Sequence, residues 1–315
     1  MRRLVIVALG LLSLVASGRS VLAEDTLKVA IPQKGAWDAG LVELGQRGGI
    51  FKKHGLNLDT LYTAAGPESI QALIGGSIDV AVASGVSAAI GTFAKGAPIR
   101  ILSSEMTGAP DLYWYVPADS PIKTVQDFNG KSIAFSAVGS SSHASVLALI
   151  AQYHLTAKPQ ATGNIAATIT QTMTGQVDVG FGAAPFGLDL VESGKTRIVA
   201  SGADVDVLKK RVVRVNLVGA QTLASKHDAL VRFMQAYRET VDWMYSSPDA
   251  LKIYGEYSGL PASIVERVVK LIPKEALQTD EIKDLDGAMA DAVTQKFIAA
   301  PLTPDQIKEL VQIPK

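Results

Sequence analysis

The most constraining feature of this sequence is a strand–helix–strand pattern that occurs twice. Residues 76–83 read Gly-Ser-Ile-Asp-Val-Ala-Val-Ala and lead through a helix pattern to another strand pattern after Gly96. Residues 175–182 read Gly-Gln-Val-Asp-Val-Gly-Phe-Gly and lead in the same way to a strand pattern after Gly194. Such units can resemble one another by chance, because few arrangements of strand, helix and strand are allowed. We favour the alternative, two lobes of similar topology.

The same alternation of strands and helices predicts the fold class. Strand and helix patterns alternate from residue 27 to residue 102. This alternation is typical of an α/β fold, in which each lobe has a mostly parallel sheet flanked by helices. Ligands of such sheets bind beyond the carboxyl ends of the strands. We therefore expect residues that follow strands to form the site.

Two further strand patterns, at 112–117 and 212–219, are predicted to cross between the lobes and to form a two-stranded hinge. The C-terminal third consists of amphipathic helix patterns, which we expect to pack on the first lobe. The predicted limits are lobe 1 (first part) at 24–117, lobe 2 at 118–216 and lobe 1 (second part) at 217–315.

The N-terminus has the pattern of a secretory signal peptide. Arg2 and Arg3 precede an apolar run at 4–15, and a more polar stretch ends at Ala23. The apolar run is shorter than the roughly 20 residues that a transmembrane helix needs. We predict a signal peptide at 1–23, cleavage after Ala23 and a periplasmic location.

Composition excludes several classes of function. The chain has 315 residues, no cysteine, and 30 Lys and Arg against 30 Asp and Glu. Loss of 1–23 removes three arginines and no acid, so 27 basic and 30 acidic side chains remain, a net charge of −3. This charge argues against a nucleic-acid binder. The lack of cysteine excludes thiolate catalysis, disulfides, Cys-ligated metals and a lipid anchor on a cysteine after the signal peptide.

Motifs of known enzymes are also absent from the sequence. It contains no Gly-x-Ser-x-Gly elbow, no His-Glu-x-x-His and no P-loop, and its four histidines do not have the spacing of metal ligands. We therefore expect no catalytic residues, no bound metal and no cofactor, and we expect a protein that is not an enzyme.

A serine-rich turn is the strongest candidate site. Ser140, Ser141, Ser142 and His143 follow Gly139, a strand pattern precedes them, and a clear helix pattern begins there. The first turn of a helix has free N–H groups and a favourable dipole for an anion. The alternative is an ordinary serine cap that only stabilises the helix. Three hydroxyls exceed what a cap needs, so we favour ligand contact.

Other candidates lie at the ends of first-lobe strands. Gly66 follows the second strand pattern and Ser84 the third, so both are expected at the mouth of the cleft. Trp37 follows the first strand pattern and could cover an apolar or planar ligand. The alternative is that Trp37 is an aromatic side chain packed on the protein surface.

Together these residues resemble a known family. The chain has a signal-peptide pattern, Gly-x-Ile/Val-Asp-Val in each lobe, and Asp-Phe-Asn-Gly-Lys-Ser-Ile-Ala-Phe at 127–135 before the serine turn. It is similar to periplasmic substrate-binding proteins of ABC importers, in the branch that includes nitrate, taurine, alkanesulfonate and thiamine-precursor binders. The resemblance implies a two-lobed type II periplasmic-binding-protein fold, no catalysis, and a monomer that docks on a membrane permease with its ATPase.

The resemblance also implies roles for the candidate residues. The serine turn (Ser140, Ser141, Ser142 and His143) would hold an anionic head group, and Trp37, Gly66 and Ser84 would form the first-lobe half of the cleft. The leading ligand is a small organic anion such as a sulfonate or carboxylate. The alternatives are a neutral aromatic such as a pyrimidine or flavin precursor, a ligand-sensing partner of a membrane receptor, and a secreted hydrolase.

Overall fold

A computed structural model describes residues 24–314. The predicted signal peptide at 1–23 lies outside the described residues. The strands of the described chain are β1 (Asp25–Pro32), β2 (Leu56–Thr63), β3 (Val80–Gly85), β4 (Ile99–Thr107), β5 (Leu112–Pro117), β6 (Ser132–Phe135), β7 (Lys158–Ala161), β8 (Gly180–Ala183), β9 (Thr196–Ser201) and β10 (Val212–Gly219).

The α-helices connect these strands and then fill the C-terminal third. In the described chain they are α1 (Leu41–Arg47), α2 (Ile50–Lys53), α3 (Gly66–Ile74), α4 (Val86–Ala94), α5 (Ser141–Gln152), α6 (Ile165–Met173), α7 (Leu188–Glu192), α8 (Ala220–Ser225), α9 (His227–Ser246), α10 (Pro248–Ser258), α11 (Ala262–Leu271), α12 (Leu285–Thr294) and α13 (Pro304–Leu310). Among the described residues, no helix combines the length and the apolar character that crossing a membrane requires.

Two sheets share one strand order. The first sheet has the order β2-β1-β3-β10-β4, and β10 is antiparallel to both neighbours. In the second sheet β5 lies between β8 and β9, again antiparallel to both, and β6 pairs with β7 in parallel. A parallel bridge between Ile133 and Val179 joins these two parts. The second order is therefore β7-β6-β8-β5-β9, which matches the first and confirms the predicted α/β fold. We call each sheet with its helices lobe 1 and lobe 2.

The two strands that were predicted to cross between the lobes, β5 and β10, each lie within the sheet of one lobe. Among the strands that the structure describes, β5 pairs only with those of lobe 2 and β10 only with those of lobe 1. The chain thus crosses at 108–111 and again at 202–211, where Gly108 N donates to the carbonyl oxygen of Arg211 at 2.9 Å. The predicted lobe limits at 117 and 217 stay predictions, but this pairing favours limits a few residues earlier at both crossings.

An aspartate anchors each copy of the repeat. Oδ2 of Asp79 accepts a hydrogen bond from Lys28 N on β1 at 2.9 Å. Oδ2 of Asp178 accepts one from Ser132 N on β6 at 2.8 Å. Asp79 directly precedes β3, Asp178 lies two residues before β8, and each satisfies a backbone N–H of the neighbouring parallel strand, which explains the recurrence of Asp at this position.

The C-terminal helices cover lobe 1. Helix α9 packs on α1, α2 and β2, while α12 packs on α4 and β10 and α13 on β4. The apolar face of α9 buries Leu230, Phe233, Met234, Tyr237 and Val241. This burial is what holds the long C-terminal segment to the sheet, because the opposite face of α9 is polar.

Candidate functional site

A cavity of about 60 Å³ lies between the two sheets. Lobe 1 and lobe 2 both contribute to its wall, and most of the residues follow the carboxyl ends of strands or begin helices. The lining residues are Pro32, Gln33, Ala36, Asp38, Ala39, Ala65, Gly66, Ala83, Gly85, Asp111, Leu112, Ser136, Ser140, Ser141, Ser142, Ile165, Phe181, Ala183, Phe186 and Arg214.

The predicted serine turn forms part of the lobe 2 wall. Ser140 is the N-cap of α5, and its Oγ accepts from His143 N at 3.2 Å. Ser142 Oγ accepts from Ser136 N at 3.0 Å and lies 2.9 Å from Ser140 Oγ. The hydroxyls of Ser140 and Ser142 therefore cap and brace the turn, and all three serines also line the cavity; their contact with a ligand stays a prediction.

The third hydroxyl makes a contact between lobes. Arg214 on β10 donates from Nε to Ser141 Oγ at 2.8 Å. The pairing of β10 with β4 shifts register on both sides of Arg214. Bulges of this kind redirect side chains near sites. Here the register shifts flank Arg214, whose side chain extends from the lobe 1 sheet to the start of α5 in lobe 2.

Two carboxylates hold the same guanidinium. Arg214 Nη1 donates to Asp38 Oδ2 at 2.8 Å, and Nη2 donates to Asp111 Oδ2 at 2.7 Å. All three side chains are buried. Although burial opposes it, the neighbouring carboxylates raise the pKa of Arg214 above its ordinary value, so the guanidinium stays charged.

A third carboxyl group lies beneath this pair. Glu105 on β4 is 1% exposed, and its oxygens have no hydrogen-bond partner among the described residues. Burial and the charge of Asp38 hold the pKa of Glu105 well above its ordinary value. Desolvation also raises the pKa of Asp111, against the opposing effect of Arg214. Glu105 is therefore the member of the cluster that keeps its proton most readily.

Helices of lobe 1 also begin at the cavity. Gly66 is the first residue of α3, and Gly85 is the N-cap of α4; neither helix has a side-chain cap. Gly85 lies against the serine turn, because a Cβ on it would be 2.3 Å from the carbonyl oxygen of Gly139. The N-termini of α3, α4 and α5 thus meet at one cavity, and their free N–H groups favour negative charge there.

Four of the seven predicted site residues line the cavity: Gly66, Ser140, Ser141 and Ser142. Ser84 is fully buried one residue before Gly85 and is not part of the wall. His143 is not part of the wall either, and its ring packs on Phe135 with centroids 4.5 Å apart. Burial lowers the pKa of His143, so the neutral ring accepts a long hydrogen bond, 3.4 Å, from Gly139 N.

The structure corrects the role predicted for Trp37. Its side chain is fully buried, and Nε1 donates to the hydroxyl of Tyr245 at 3.0 Å. The ring makes edge contacts with Tyr245 and with Tyr254, at centroid distances of 5.8 Å and 4.8 Å. Trp37 does not line the cavity. The C-terminal helices α9 and α10 supply these tyrosines, so the indole is a core residue rather than the surface-packed aromatic of the alternative.

Arg214 and Asp38 also line the cavity, and neither was predicted from the sequence. A signal for Arg214 existed, because residues 212–219 read Val-Val-Arg-Val-Asn-Leu-Val-Gly, with two polar residues inside a strand that is otherwise apolar. Polar side chains in a buried strand need partners. Asn216 accepts a hydrogen bond from Ala83 N and donates one to Ser103 Oγ. Arg214 donates to residues of the cavity wall.

A family model matches residues 41–251 of the chain, and its description is "NMT1/THI5 like". This range is more than half of the chain. No curated protein sequence matches. Among the described residues, no group of three or more His, Cys, Asp and Glu is placed to hold a metal ion.

Solved structures share the fold. The alkanesulfonate-binding protein SsuA from Xanthomonas axonopodis pv. citri, bound to MOPS, superposes with a TM-score of 0.77 at 21% identity, covering 91% of this chain and 98% of that one. The periplasmic nitrate-binding protein NrtA from Synechocystis PCC 6803 gives 0.72 at 12% identity, with 91% and 86% covered. The CA3427 gene product of Candida albicans, described as having the generic periplasmic binding protein fold, gives 0.71 at 16% identity, with 92% and 97% covered.

These likenesses confirm the fold that the sequence resemblance predicted, a periplasmic-binding-protein fold with two α/β lobes. The chain belongs to the NMT1/THI5-like family.

Proposed function

We propose that this chain is the solute-binding component of an ABC importer and captures a small organic anion between its two lobes. The observation that carries the proposal is the cavity between the sheets, where the N-termini of α3, α4 and α5 meet. The structural neighbours support it, since they include an alkanesulfonate-binding protein and a nitrate-binding protein.

Binding energy must come from both lobes. A micromolar dissociation constant corresponds to about 8 kcal/mol. Each helix N-terminus contributes about 0.3–1 kcal/mol to an anion. Three termini therefore supply only part of the energy, and burial of the ligand by lobe closure supplies much of the rest. Closure would shift an equilibrium between open and closed forms by the difference in ligand affinity between them.

Delivery would follow closure. The closed, ligand-loaded form would dock on a membrane permease whose ATPase drives uptake, while this chain does no chemistry and acts as a monomer. Cleavage after Ala23 would release it into the periplasm. The neutral-aromatic alternative loses its main support, because Trp37 is a core residue. No feature of the described chain favours the hydrolase or the sensor.

A thermal-shift screen of the chain from residue 24 onward tests the proposal. The solutes are small sulfonates, carboxylates, nitrate, pyrimidines and flavins. A true ligand at 100 times its dissociation constant stabilises the fold by about 2.7 kcal/mol. A shift with anions alone supports the proposal. A shift with pyrimidines or flavins alone overturns the ligand class, and no shift with any solute overturns solute binding itself.

A further inference from the structure

The cavity has more negative than positive side chains. Arg214 is the single basic residue in the described lining, and Asp38 and Asp111 are the two acidic ones. The guanidinium already donates to Ser141, to both aspartates and to Met106 Sδ at 3.1 Å. Its charge is thus already paired twice, and it has little left to offer to a ligand anion.

One carboxylate oxygen of a residue that lines the cavity lacks a hydrogen-bond donor. Asp111 is 1% exposed, and its Oδ2 is held by Arg214 at 2.7 Å. Its Oδ1 is buried and receives no hydrogen bond from another described residue. A buried charged acceptor without a donor costs about 1–3 kcal/mol or more. A ligand that brings an N–H group to this oxygen would recover that cost.

Another part of the cavity wall favours negative charge rather than positive charge. The N-terminus of α5 at Ser141 and the N-terminus of α4 at Gly85 direct their N–H dipoles to the cavity. Ser141 Oγ and Asp111 Oδ2 accept hydrogen bonds from Nε and Nη2 of the same Arg214 guanidinium, so the two residues lie close together. A small ligand can therefore place an acceptor at the helix N-termini and a donor at Asp111 at the same time, in a cavity of about 60 Å³.

We propose that Asp111 determines specificity by accepting an N–H or ammonium group of the ligand, so that the preferred ligand is a small amino-substituted anion rather than a plain one. This inference rests on the proposed function and narrows its ligand class. The anionic group would lie at the helix N-termini, and the amino group would lie at Oδ1 of Asp111.

Matched pairs of solutes test the inference. Aminomethanesulfonate is compared with methanesulfonate, glycine with acetate, and β-alanine with propionate, by thermal shift and by isothermal titration calorimetry. The expected result is that the amino member of at least one pair binds ten times or more tightly than its partner. Equal or tighter binding by the plain anion in the pairs that bind overturns the inference and leaves the proposed function standing. No binding by any member overturns the inference, and the wider solute screen then decides the proposed function separately.

Two variants assign the effect to one residue. Asp111→Asn removes the negative charge of the carboxylate that has the unpartnered oxygen. Asp38→Asn is the matched control, because it removes the other carboxylate that pairs with Arg214. Both lose a buried partner of the same guanidinium, so both are expected to lower Tm. The preference for the amino member is expected to fall below threefold in Asp111→Asn and to persist in Asp38→Asn. Persistence in Asp111→Asn, or loss in both, overturns the role of Asp111. The comparison of solute pairs on the unmodified chain remains decisive if Asp111→Asn does not fold.

Discussion

The two lobes have the same strand order and the same aspartate anchor, yet they bring different chemistry to the cavity. The antiparallel strand of lobe 1, β10, places Arg214 opposite Gly85, the last residue of β3. The antiparallel strand of lobe 2, β5, places Leu112 opposite Ala183, the last residue of β8. Both side chains line the cavity. Topology therefore decides which positions face the site, while the residue at each position decides whether that wall is charged or apolar.

The largest expected effect comes from making lobe 1 resemble lobe 2 at this position. Arg214→Leu leaves Asp38 and Asp111 buried without a cation, and this typically costs about 3–5 kcal/mol of unfolding free energy. Urea unfolding measures the loss. The matched control is Arg211→Leu, which also removes two carboxylate pairs, with Asp284 and Asp291, but at partners that are 41% and 33% exposed. Its expected loss is below about 1 kcal/mol. Equal losses would contradict the account of Arg214.

The next effect concerns the contact between lobes. Gly85→Ala puts a methyl group 2.3 Å from the carbonyl oxygen of Gly139, so the lobes cannot approach as closely. Its backbone angles, φ −61° and ψ 129°, suit alanine. We expect ligand affinity to fall about tenfold, or about 1.4 kcal/mol, and the radius of gyration in small-angle X-ray scattering to increase.

The control for Gly85 is Gly219, the N-cap of α8. It has φ −68° and ψ 138°, and an added Cβ would meet nothing nearer than Thr222 Oγ1 at 3.7 Å. Gly219→Ala should change Tm as Gly85→Ala does, because both place alanine at an N-cap. It should leave affinity and radius of gyration unchanged. The same affinity in both variants would count against a closing role for Gly85.

A third prediction uses the buried acid of lobe 1. Because the pKa of Glu105 is raised in the folded chain, folding takes up a proton, and stability falls as pH rises from its ordinary pKa toward the folded one. Glu105→Gln removes this dependence. Relative to the unmodified chain, the free energy of unfolding of the variant should increase by up to about 1.4 kcal/mol per pH unit in that window. Urea unfolding from pH about 5 to about 8 checks it, and parallel curves would refute it.

The smallest expected effect separates the two aspartate anchors. Asp79 also accepts from Lys226 Nζ at 2.9 Å and is 14% exposed, whereas the Asp178 side chain is 43% exposed. Asp79→Ala should therefore cost more unfolding free energy than Asp178→Ala, by about 1 kcal/mol.

The contribution of Asp178 should also depend on pH. Although desolvation opposes it, hydrogen bonds from Ser132 N and Oγ lower the pKa of Asp178. The contribution of Asp178 to the free energy of unfolding is present above its ordinary pKa and is lost as pH falls through its lowered pKa in the folded chain. Thermal unfolding of both variants at neutral and acid pH measures this, and a larger loss in Asp178→Ala would contradict it.

Much of the fold could be predicted from the sequence, because local patterns carry it. The alternation of strands and helices determined the α/β class, and the rule that ligands bind after strands pointed to the serine turn and to Gly66. These inferences need only residues that are near one another in the chain.

The rest of the site depends on residues far apart in the chain. Arg214 meets Asp38, Asp111 and Ser141 only because β10 returns to lobe 1 and because a bulge redirects the side chain. Trp37 is buried by tyrosines that lie more than two hundred positions later. No local pattern specifies such encounters, so the charged cluster was missed and the tryptophan was placed in the wrong environment.

The position of β10 also affects the order in which the molecule can assemble. Lobe 2 takes all its strands, β5 to β9, from one continuous stretch of chain, so its sheet can close as soon as that stretch is available. The lobe 1 sheet has β10 between β3 and β4, and these two strands cannot join through it until residue 219 has been synthesised. Contacts between distant residues form slowly. Lobe 1 therefore spends longer than lobe 2 with unpaired strand edges while the chain is being made.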